Sequence, residues 1–464
     1  MNTGTTEIPV LIVGAGPAGL TAAGALARLG VQTLIVERRP ELSSLPRATS
    51  VSTRSMELFR SWGLEDEIRA GGVDVEWQLW TCRTLAESAG GMAIPIGLPT
   101  REQSTMISPS SPACIPQDHL EPVLLGHLLN QGGKAELGVE TIDVELDGAG
   151  AVATLRDVET GATRQVRARY VIAADGAHSR VRTALGIAMH GPDRLAEAGS
   201  AVFRAPLWEL LGDRRYGIYD IAQPEAPGVM LPAGPGDRWL YGIVWQPGER
   251  DGAELTEERF TELIRLAAGV PDLQPQIERT GLFTFAAQLA ERFREGNAFL
   301  IGDAAHRVTP RGGTGMNTAI QDGYDLGWKL GWVLNGWAGE SLLDSYEFER
   351  RPVAEHNVER SADPFGSRRN PQGEVHADLG GRIPHVRVPQ DDGLVSTLDM
   401  LGPGYTLFTA GTGAPIHDPS AAGAPVAVRR VDPVVARALG VPGGGALMVR
   451  PDGYPARELG ALAA

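Results

Sequence analysis

Three glycines near the amino terminus have the spacing of a turn that binds phosphate groups. Gly14, Gly16 and Gly19 form a G-x-G-x-x-G pattern, and the acid Glu37 follows at the end of the next apolar run. The first glycine permits a tight turn, the second lets the backbone approach a pyrophosphate, and the third lets the following helix pack on the strand. Glu37 can accept hydrogen bonds from ribose hydroxyls and would repel a 2′-phosphate. The pattern therefore predicts a site for the adenosine half of FAD or NAD rather than NADP.

Two acidic residues farther along the chain follow apolar runs and offer further contacts to such a cofactor. Asp175 and Gly176 come after one run, and Asp303 comes after another. A glycine-rich segment, 312–315, then opens a long helical pattern. Asp303 is placed to hold a ribityl hydroxyl, and the N–H groups at the start of that helix would stabilise the negative charge of a reduced flavin. These segments favour FAD over NAD, although the glycine turn taken alone also has a purely structural interpretation.

Apolar periodicity indicates which elements position these groups. Residues 9–13 and 31–36 are apolar runs typical of buried parallel strands, and the pattern over 20–29 is that of a helix. This order of strand, turn, helix and strand is the first unit of a Rossmann-like fold. From about 188 to 289, short strand patterns surround one predicted helix over 256–268. The chain is thus predicted to be α/β, with a second, mixed sheet after its Rossmann-like part.

Length and composition exclude several classes of protein. With 464 residues, the chain is long enough for two or three domains. Its formal net charge of −15 disfavours binding to nucleic acid or to an anionic membrane surface. No apolar run has the length of a membrane span and no secretory signal is visible, so we expect a cytoplasmic protein in which Cys82 and Cys114 are free thiols. No metal site is predicted.

Taken together, five segments resemble, in the same order, the class A flavoprotein aromatic hydroxylases, the superfamily of para-hydroxybenzoate and phenol hydroxylases. The resemblance extends from about residue 9 to residue 355. The matching segments are 14–19, Arg47-Ala48, Gln117 with Leu120-Glu121, Asp175-Gly176, and 302–306 with Pro310 and 312–317. One such motif would be weak evidence, whereas five in order are specific.

The resemblance implies a reaction as well as a fold. Members use NAD(P)H and O₂ to hydroxylate a small aromatic substrate, through a hydroperoxide formed at C4a of FAD. For this chain the resemblance implies a phenolic or polycyclic aromatic substrate, as in polyketide tailoring and antibiotic biosynthesis. Pro310 would lie near C4a and Arg311 beside the isoalloxazine ring, so these are the two predicted catalytic residues. The residues predicted to bind the cofactor are Gly14, Gly16, Ala18, Gly19, Glu37, Arg38, Arg47, Gln117, Asp175, Gly176, Asp303, Gly313, Gly315, Met316 and Asn317.

The family's pattern implies individual roles for several of these positions. Arg47 and Gln117 would contact the FAD phosphates or the ribityl chain. Met316 and Asn317 would donate backbone N–H groups to the pyrimidine end of the flavin. The segment that begins at Asp175 would support the FAD site and the transient binding of nicotinamide.

The resemblance also implies a domain organisation. A discontinuous FAD-binding domain would comprise residues 1–187 and 281–363, with a substrate-binding sheet domain over 188–280 between its two parts. The polar stretch 364–381 predicts a linker. Residues 381–464 would form a short thioredoxin-like C-terminal domain, and because they contain no Cys-x-x-Cys motif we expect no thiol redox chemistry there. The pattern is compatible with a homodimer.

The sequence leaves some alternatives open. The same flavin chemistry supports a Baeyer–Villiger reaction or an epoxidation, because no motif reports the protonation state of the peroxide. A non-catalytic protein that binds flavin or sequesters a ligand is a further alternative. Trp239, Tyr241 and Trp245 share one face of a predicted strand, where they either line the substrate pocket or pack in the core.

Overall fold

The computed structural model describes residues 6–390, 393–410, 423–441 and 445–456. The helices of these residues are α1 (Pro17–Arg28), α2 (Thr53–Ser61), α3 (Glu65–Ala70), α4 (Arg101–Ile107), α5 (Gln117–Asn130), α6 (Arg180–Ala184), α7 (Leu207–Leu211), α8 (Glu257–Ala268), α9 (Gly315–Leu334), α10 (Asp344–Ala362), α11 (Pro371–Leu379) and α12 (Pro433–Ala438). None of them is both long and apolar enough to cross a membrane.

The strands alternate with these helices along most of the chain. They are β1 (Thr6–Val13), β2 (Thr33–Glu37), β3 (Ser50–Val51), β4 (Glu76–Cys82), β5 (Met92–Pro95), β6 (Ala113–Cys114), β7 (Lys134–Leu137), β8 (Val139–Leu146), β9 (Ala151–Asp157), β10 (Thr163–Ala173), β11 (Met189–His190), β12 (Ala196–Arg204), β13 (Tyr216–Ile221), β14 (Gly228–Pro232), β15 (Arg238–Trp245), β16 (Gln276–Phe285), β17 (Gln288–Ala290), β18 (Arg294–Glu295), β19 (Ala298–Leu300), β20 (His306–Arg307), β21 (Arg387–Gln390), β22 (Gly393–Ser396), β23 (Tyr405–Ala410), β24 (Val426–Val431) and β25 (Ala446–Val449).

The first sheet is of the Rossmann type, as the sequence predicts. Its main path runs β18-β19-β10-β1-β2-β7, and β1 is parallel to both β10 and β2. Val10, Leu11 and Ile12 of β1 are fully buried, as expected for a parallel strand that is covered on both faces. The carboxyl ends of β1, β10 and β19 therefore lie side by side, and this edge is where ligands bind in open α/β sheets.

Helices α1 and α9 pack closely against each other behind this edge. A Cβ atom on Gly323 of α9 would collide with the backbone of Ala18, and one on Gly327 would lie 2.6 Å from the Cβ of Ala25. Near the amino ends of both helices, a Cβ on Gly302 would lie 3.2 Å from the Ala18 methyl and 3.1 Å from that of Ala319. The glycines thus bring two helix N-termini together at the edge of the sheet.

The second sheet is mixed, in the order β16-β12-β15-β14-β13-β4-β5. Most neighbours are antiparallel, but β13 and β4 run parallel. Strands β4 and β5 precede residue 188, and β16 extends beyond residue 280. The sheet therefore includes strands that the predicted boundaries assign to the FAD-binding domain. The domain ranges 1–187 with 281–363, 188–280 and 381–464 stay a prediction.

Helix α8 covers one face of the second sheet. Trp239, Tyr241 and Trp245 are at most 8% exposed on this face, and they share a hydrophobic core with Phe260 and Leu263 of α8. Of the two alternatives for the three aromatic residues, core packing is the one found. The opposite face of the sheet is consequently the one available to a ligand.

The C-terminal part has its own small core. Strand β23 is parallel to β24 and antiparallel to β25, and α12 packs on this sheet through Val435. The predicted C-terminal domain is therefore present. The prediction of a linker over 364–381 is wrong, because this stretch contains α11. The side chain of Asn370 caps the first turn of α11, Pro371 occupies its first position, and Leu379 is buried, so local capping and burial fix the helix.

A buried network of charges attaches the C-terminal part to the first domain. The Arg450 side chain is 1% exposed and bonds to Glu349 of α10 and to Asp452. Lys329 of α9 bonds to Asp325 at 2.7 Å and to Glu349 at 3.0 Å. The carboxylates of Asp325, Glu349 and Asp452 lie close enough together to hold a metal ion, but Lys329 and Arg450 already form ion pairs with them.

Candidate active site

The turn between β1 and α1 has the geometry that its three glycines predict. Gly14 has φ +107°, and a Cβ atom there would collide with the carbonyl group of Ala174. A Cβ on Gly19 would collide with the carbonyl oxygen of Gly14, so this glycine sets the close packing of helix and turn. Gly16 has nothing within 4 Å of the same position. The backbone at Gly16 and the first turn of α1 are therefore open to a phosphate group.

Glu37 lies next to this turn. Its side chain ends β2, where it is 8% exposed and bonds to Arg39 at 2.9 Å. One carboxylate oxygen also accepts a hydrogen bond from the backbone N–H of Ala15. Arg38, which the sequence predicts to bind the cofactor, is exposed beside this acid, and its neighbour Arg39 holds the carboxylate.

Asp175 lies just after the carboxyl end of β10, the strand next to β1. One of its oxygens accepts hydrogen bonds from the backbone N–H groups of Arg180 at 2.8 Å and Val181 at 3.2 Å, at the start of α6. The other oxygen is buried and has no hydrogen-bond partner among the described residues. Gly176, at φ +82°, makes the turn that follows. Asp175 thus positions this loop and keeps one oxygen free for a further donor.

Asp303 follows β19 directly, in a short 3-10 turn. Its side chain is exposed to solvent. The surrounding protein still desolvates the carboxylate and raises its pKa, while the charges of His306, Arg307 and Arg47 act to lower it. The exposure shows that the carboxylate faces an open cleft. It is available there to a hydroxyl group, as the sequence predicts.

A buried acid that sequence reasoning missed supports the turn at Asp303. Asp322 of α9 accepts hydrogen bonds from the backbone N–H of Gly302 at 3.1 Å, from His306 at 2.6 Å and from Arg350 at 2.7 Å. Burial alone would raise its pKa, but His306 and Arg350 lower it. His306 is fully buried in this network, so its contacts are structural. No local motif marks an acid in the middle of a helix.

The glycine-rich loop before α9 presents backbone N–H groups. Gly312 and Gly313 have φ +84° and +64°, which turns the chain into the helix. Gly315, Met316 and Asn317 form the first turn of α9, where backbone N–H groups have no acceptor within the helix. Such a terminus favours a developing negative charge.

The side chain of Asn317 holds this loop against the strand β3. Its Oδ1 accepts a hydrogen bond from the N–H of Ser52 at 2.7 Å, and its Nδ2 donates to the carbonyls of Ser50 and Gly313. The side chain is therefore committed to the fold, and only the backbone of Asn317 is free for the predicted role.

Arg47 and Gln117 border the same cleft. Arg47 is exposed, and in the described part of the chain its side chain forms no ion pair. Desolvation raises the pKa of both Asp303 and Glu121, and the positive charge of Arg47 acts to lower it. Gln117 begins α5 and donates to Glu121 at 2.7 Å. The backbone N–H of Gln117 donates to the carbonyl of Ala48 at 2.9 Å, so the loop that contains Arg47 lies beside the start of α5.

Arg311 lies at the junction of the first domain and the second sheet. Its guanidinium donates to the carbonyl of Ala362 at 3.3 Å and lies 5.4 Å from the ring centre of Phe285. Desolvation lowers its pKa, against the opposing charge of Asp363. Pro310 beside it is exposed. Both predicted catalytic residues therefore stand where β16 meets the glycine-rich loop.

A shallow apolar trough begins at Phe285, on the sheet face opposite α8. Its floor consists of small residues that pair across three strands, and its walls are larger residues, of which Val244 is 48% and Phe283 43% exposed while Phe285 is buried. The floor residues are Ala198, Ser200, Gly242 and Gly281, and the wall residues are Val244, Phe283 and Phe285. Sequence reasoning missed this trough, although the alternation of Phe283 and Phe285 on one strand was a usable signal.

Comparisons with known proteins agree with this geometry. Residues 7–361 match the family described as FAD binding domain, and residues 376–458 match the family described as aromatic-ring hydroxylase, C-terminal. A putative polyketide hydroxylase of Streptomyces halstedii is 34% identical over 97% of this chain and 93% of its own length. An aklavinone 12-hydroxylase of Streptomyces peucetius is 35% identical over 88% of this chain and 92% of its own length. A crystal structure of aklavinone-11 hydroxylase with FAD and aklavinone has a TM-score of 0.87 at 32% identity, covering 98% of this chain and 95% of that one.

Proposed function

Because this chain belongs to the FAD-dependent aromatic-ring hydroxylases, we propose that it hydroxylates a flat, polycyclic aromatic substrate of the polyketide type, with NAD(P)H as the reductant. That it is an FAD-dependent monooxygenase follows from its family. The trough between Phe285 and Val244 is the observation that carries the choice of substrate. The relatives described as polyketide and aklavinone hydroxylases support the same choice.

The residues at the edge of the first sheet fit FAD. A Cβ atom would fill the space at Gly14 and Gly19, whereas the open backbone at Gly16 leaves room for the pyrophosphate. Glu37 would hold the adenosine ribose, and Arg47 would neutralise phosphate charge. Asp303 would bind the ribityl chain, and the first turn of α9 would bind the pyrimidine end of the flavin.

Bound FAD supplies the electrons and the oxygen activation that the protein residues lack. The chain positions the substrate against it. The N–H groups of Gly315 and Met316 would stabilise negative charge at the pyrimidine end of the flavin, and Arg311 adds a fixed positive charge beside Phe285. Pro310, exposed next to this arginine, would limit the space beside the ring. The buried ring of Phe285 would help to exclude water from the reacting face.

The shape of the trough selects flat ligands. Its floor of alanine, serine and glycine residues has no bulky side chain across three strands, and its walls offer aromatic and branched contacts. A fused-ring system buries more apolar area on such a surface than a single ring does, and the buried area contributes about 25 cal/mol per Å². Polycyclic phenols are therefore expected to bind more tightly than monocyclic ones.

Ligand-stimulated oxidation of NADH and NADPH by the FAD-loaded protein tests the proposal. We expect polycyclic phenols and hydroxyquinones to accelerate oxidation at least about tenfold over the rate without ligand and to give a product one oxygen atom heavier by mass spectrometry. Monocyclic phenols serve as the matched comparison. Stimulation by monocyclic phenols alone would refute the substrate class, and the absence of any oxygenated product would refute the reaction.

A further inference from the structure

The floor of the apolar trough continues across the second sheet, beyond the three strands described above. Gly242 of β15 pairs with Val229 of β14, and Val229 pairs on its other side with Asp220 of β13. Asp220 in turn pairs with Thr81 of β4. Residues that are paired across neighbouring strands lie on the same face of a sheet, so these four residues form one row on the face opposite α8. The row leads from a glycine in the trough floor to a carboxylate.

The neighbours of Asp220 show which way its side chain points. Tyr219 and Ile221 are buried in the core beneath α8, together with Phe260 of that helix. Side chains alternate between the two faces of a strand, so Asp220 points to the opposite face, which is the face of the trough. Its side chain is 31% exposed, and its Oδ2 lies 3.4 Å from the hydroxyl of Thr81 in the same row. Asp220 is therefore accessible from the trough side of the sheet.

Arg368 pairs with this carboxylate from outside the sheet. It ends the short 3-10 turn Gly366–Arg368 between α10 and α11, and its side chain is 37% exposed. Its Nη2 donates to Oδ2 of Asp220 at 2.7 Å. Within the described ranges, Oδ1 of Asp220 and the Nε and Nη1 of Arg368 form no hydrogen bond. The pair thus offers an acceptor and two donors to a further group at the end of the row.

The chemistry of the pair matches a hydroxyl group. A carboxylate can only accept hydrogen bonds and a guanidinium can only donate them, whereas a hydroxyl does both. A hydroxyl can therefore donate to Asp220 and accept from Arg368 at the same time. An anionic group would be repelled by Asp220 and a cationic group by Arg368. Hydrogen bonds to these charged partners are stronger than those between neutral groups.

The strand spacing sets the length of a ligand that reaches the pair from the trough. Adjacent strands lie about 4.8 Å apart, so Gly242 and Asp220, which are two strands apart, are separated by about 10 Å. Leu231 and Leu240 pair with each other, are half-buried, and border the row on the side away from Val244. The path is apolar as far as Asp220, and a flat ligand of about three fused rings covers it.

We propose that the Asp220–Arg368 pair recognises a hydroxyl group at one end of the polycyclic substrate, and that it thereby selects long ligands that carry a hydroxyl at this end. The inference rests on the proposed function, since it assigns a second contact to the substrate in the trough. It predicts that an end hydroxyl strengthens binding, although a hydroxyl buried on an apolar surface without a partner would weaken it.

Equilibrium dialysis of the oxidised, FAD-loaded enzyme tests the pair without any turnover. The probes are 2-(hydroxymethyl)anthraquinone and 2-ethylanthraquinone, which have the same shape and differ by a hydroxyl in place of a methyl group. We expect wild type to bind the alcohol about tenfold more tightly. Asp220→Asn and Arg368→Gln are each expected to reduce this preference about three- to tenfold and to leave the affinity for the ethyl compound unchanged, because only the alcohol bonds to the pair.

Arg369→Gln is the matched control. Arg369 is the next residue in the chain, and its ion pair with Asp363 is likewise solvent-exposed but does not involve the sheet. This variant is expected to keep the wild-type preference for the alcohol. If the pair served only to hold the turn against β13, Asp220→Asn and Arg368→Gln would change the affinity for both probes alike.

Three outcomes would overturn the proposal: equal binding of the two probes by wild type, an unchanged preference in both variants of the pair, or an equal loss of affinity for both probes. A preference that follows the variants in a protein that oxygenates no aromatic compound would support the role of the pair and overturn the proposed function. Oxygenation of polycyclic phenols with no preference for the alcohol would do the reverse, so the two failures are distinguishable.

Discussion

The carboxylate of Glu37 and the backbone N–H of Ala15 are joined by a hydrogen bond of 3.1 Å, which ties the end of β2 to the turn after β1. Arg39 contributes a second contact, from its Nε to the other carboxylate oxygen at 2.9 Å. Burial alone would raise the pKa of Glu37, but these hydrogen bonds outweigh it and lower the pKa. The acid is therefore ionised and already oriented toward the place where a ribose would bind.

Glu37→Gln is expected to destabilise the fold at pH 7 and to weaken FAD binding, because the amide loses the charge that Arg39 pairs with. A glutamate with a lowered folded pKa stabilises the protein above the unfolded value of about 4.3, and this stabilisation disappears as the pH falls through the folded pKa. Chemical denaturation from pH 7 down to well below pH 4 should show the wild type and the variant differing by a constant amount above about pH 5 and converging only at the acid end. Exposed Glu41→Gln is the control, and a stability difference independent of pH would contradict this account.

Asp303→Ala is expected to lower FAD affinity more than it changes the fold. A hydrogen bond from a ribityl hydroxyl to a carboxylate contributes about 1.5–3 kcal/mol, which corresponds to roughly ten- to a hundredfold in Kd. Fluorescence titration of the apoprotein with FAD measures the loss. Asp272→Ala, on the surface of the second domain, should bind FAD as wild type does. Wild-type affinity in Asp303→Ala would show that this carboxylate does not contact the ribityl chain.

Arg311→Met tests the charge beside the substrate trough. FAD affinity should stay near wild type, while flavin reduction by NAD(P)H slows or the substrate KM rises by about tenfold or more, the amount that one partly buried charge contact supplies. Stopped-flow reduction with and without an aromatic ligand separates the two effects. Arg437→Met, at an exposed position of α12, is the comparison. Changes of less than about twofold in both quantities would place Arg311 outside the site.

Arg450→Met tests the attachment of the C-terminal part. The change leaves buried Asp452 and partly exposed Glu349 without their main cation, and the loss of one partner of a buried ion pair costs about 3–5 kcal/mol. The free energy of unfolding should fall by that amount, and limited proteolysis should cleave the C-terminal part earlier than in wild type. An unchanged unfolding midpoint would mean that Lys329 alone neutralises the cluster.

The FAD-binding elements could be predicted from the sequence because each one is local. A turn such as Gly14 to Gly19 contains its whole requirement within a few residues, and the structure gives these glycines the expected conformations. Elements that depend on distant partners were not predictable in the same way. Asp322 supports Gly302 and His306 from another helix, and Arg360 meets Gly97 across more than half of the chain.

Strand pairing and local capping explain the remaining differences between the sequence-based predictions and the structure. The positions of Trp239 and Tyr241 were predicted correctly, but which face of the sheet α8 covers depends on the packing of the whole domain. The helix α11 was missed because its composition is polar and it contains glycine, although Asn370 followed by Pro371 is a helix-start signal. A composition-based linker assignment gave too little weight to that signal.

The pairing of β13 with β4 has a consequence for any attempt to transplant substrate preference between members of this family. The two strands lie far apart in the chain and run side by side in the sheet. A chimaera that exchanges only a contiguous block from β12 to β16 would join one parent's β13 to the other parent's β4. Two block exchanges with four junctions, one of β4 with β5 and one of β12 to β16, are the smallest exchange that moves the second sheet as an intact unit.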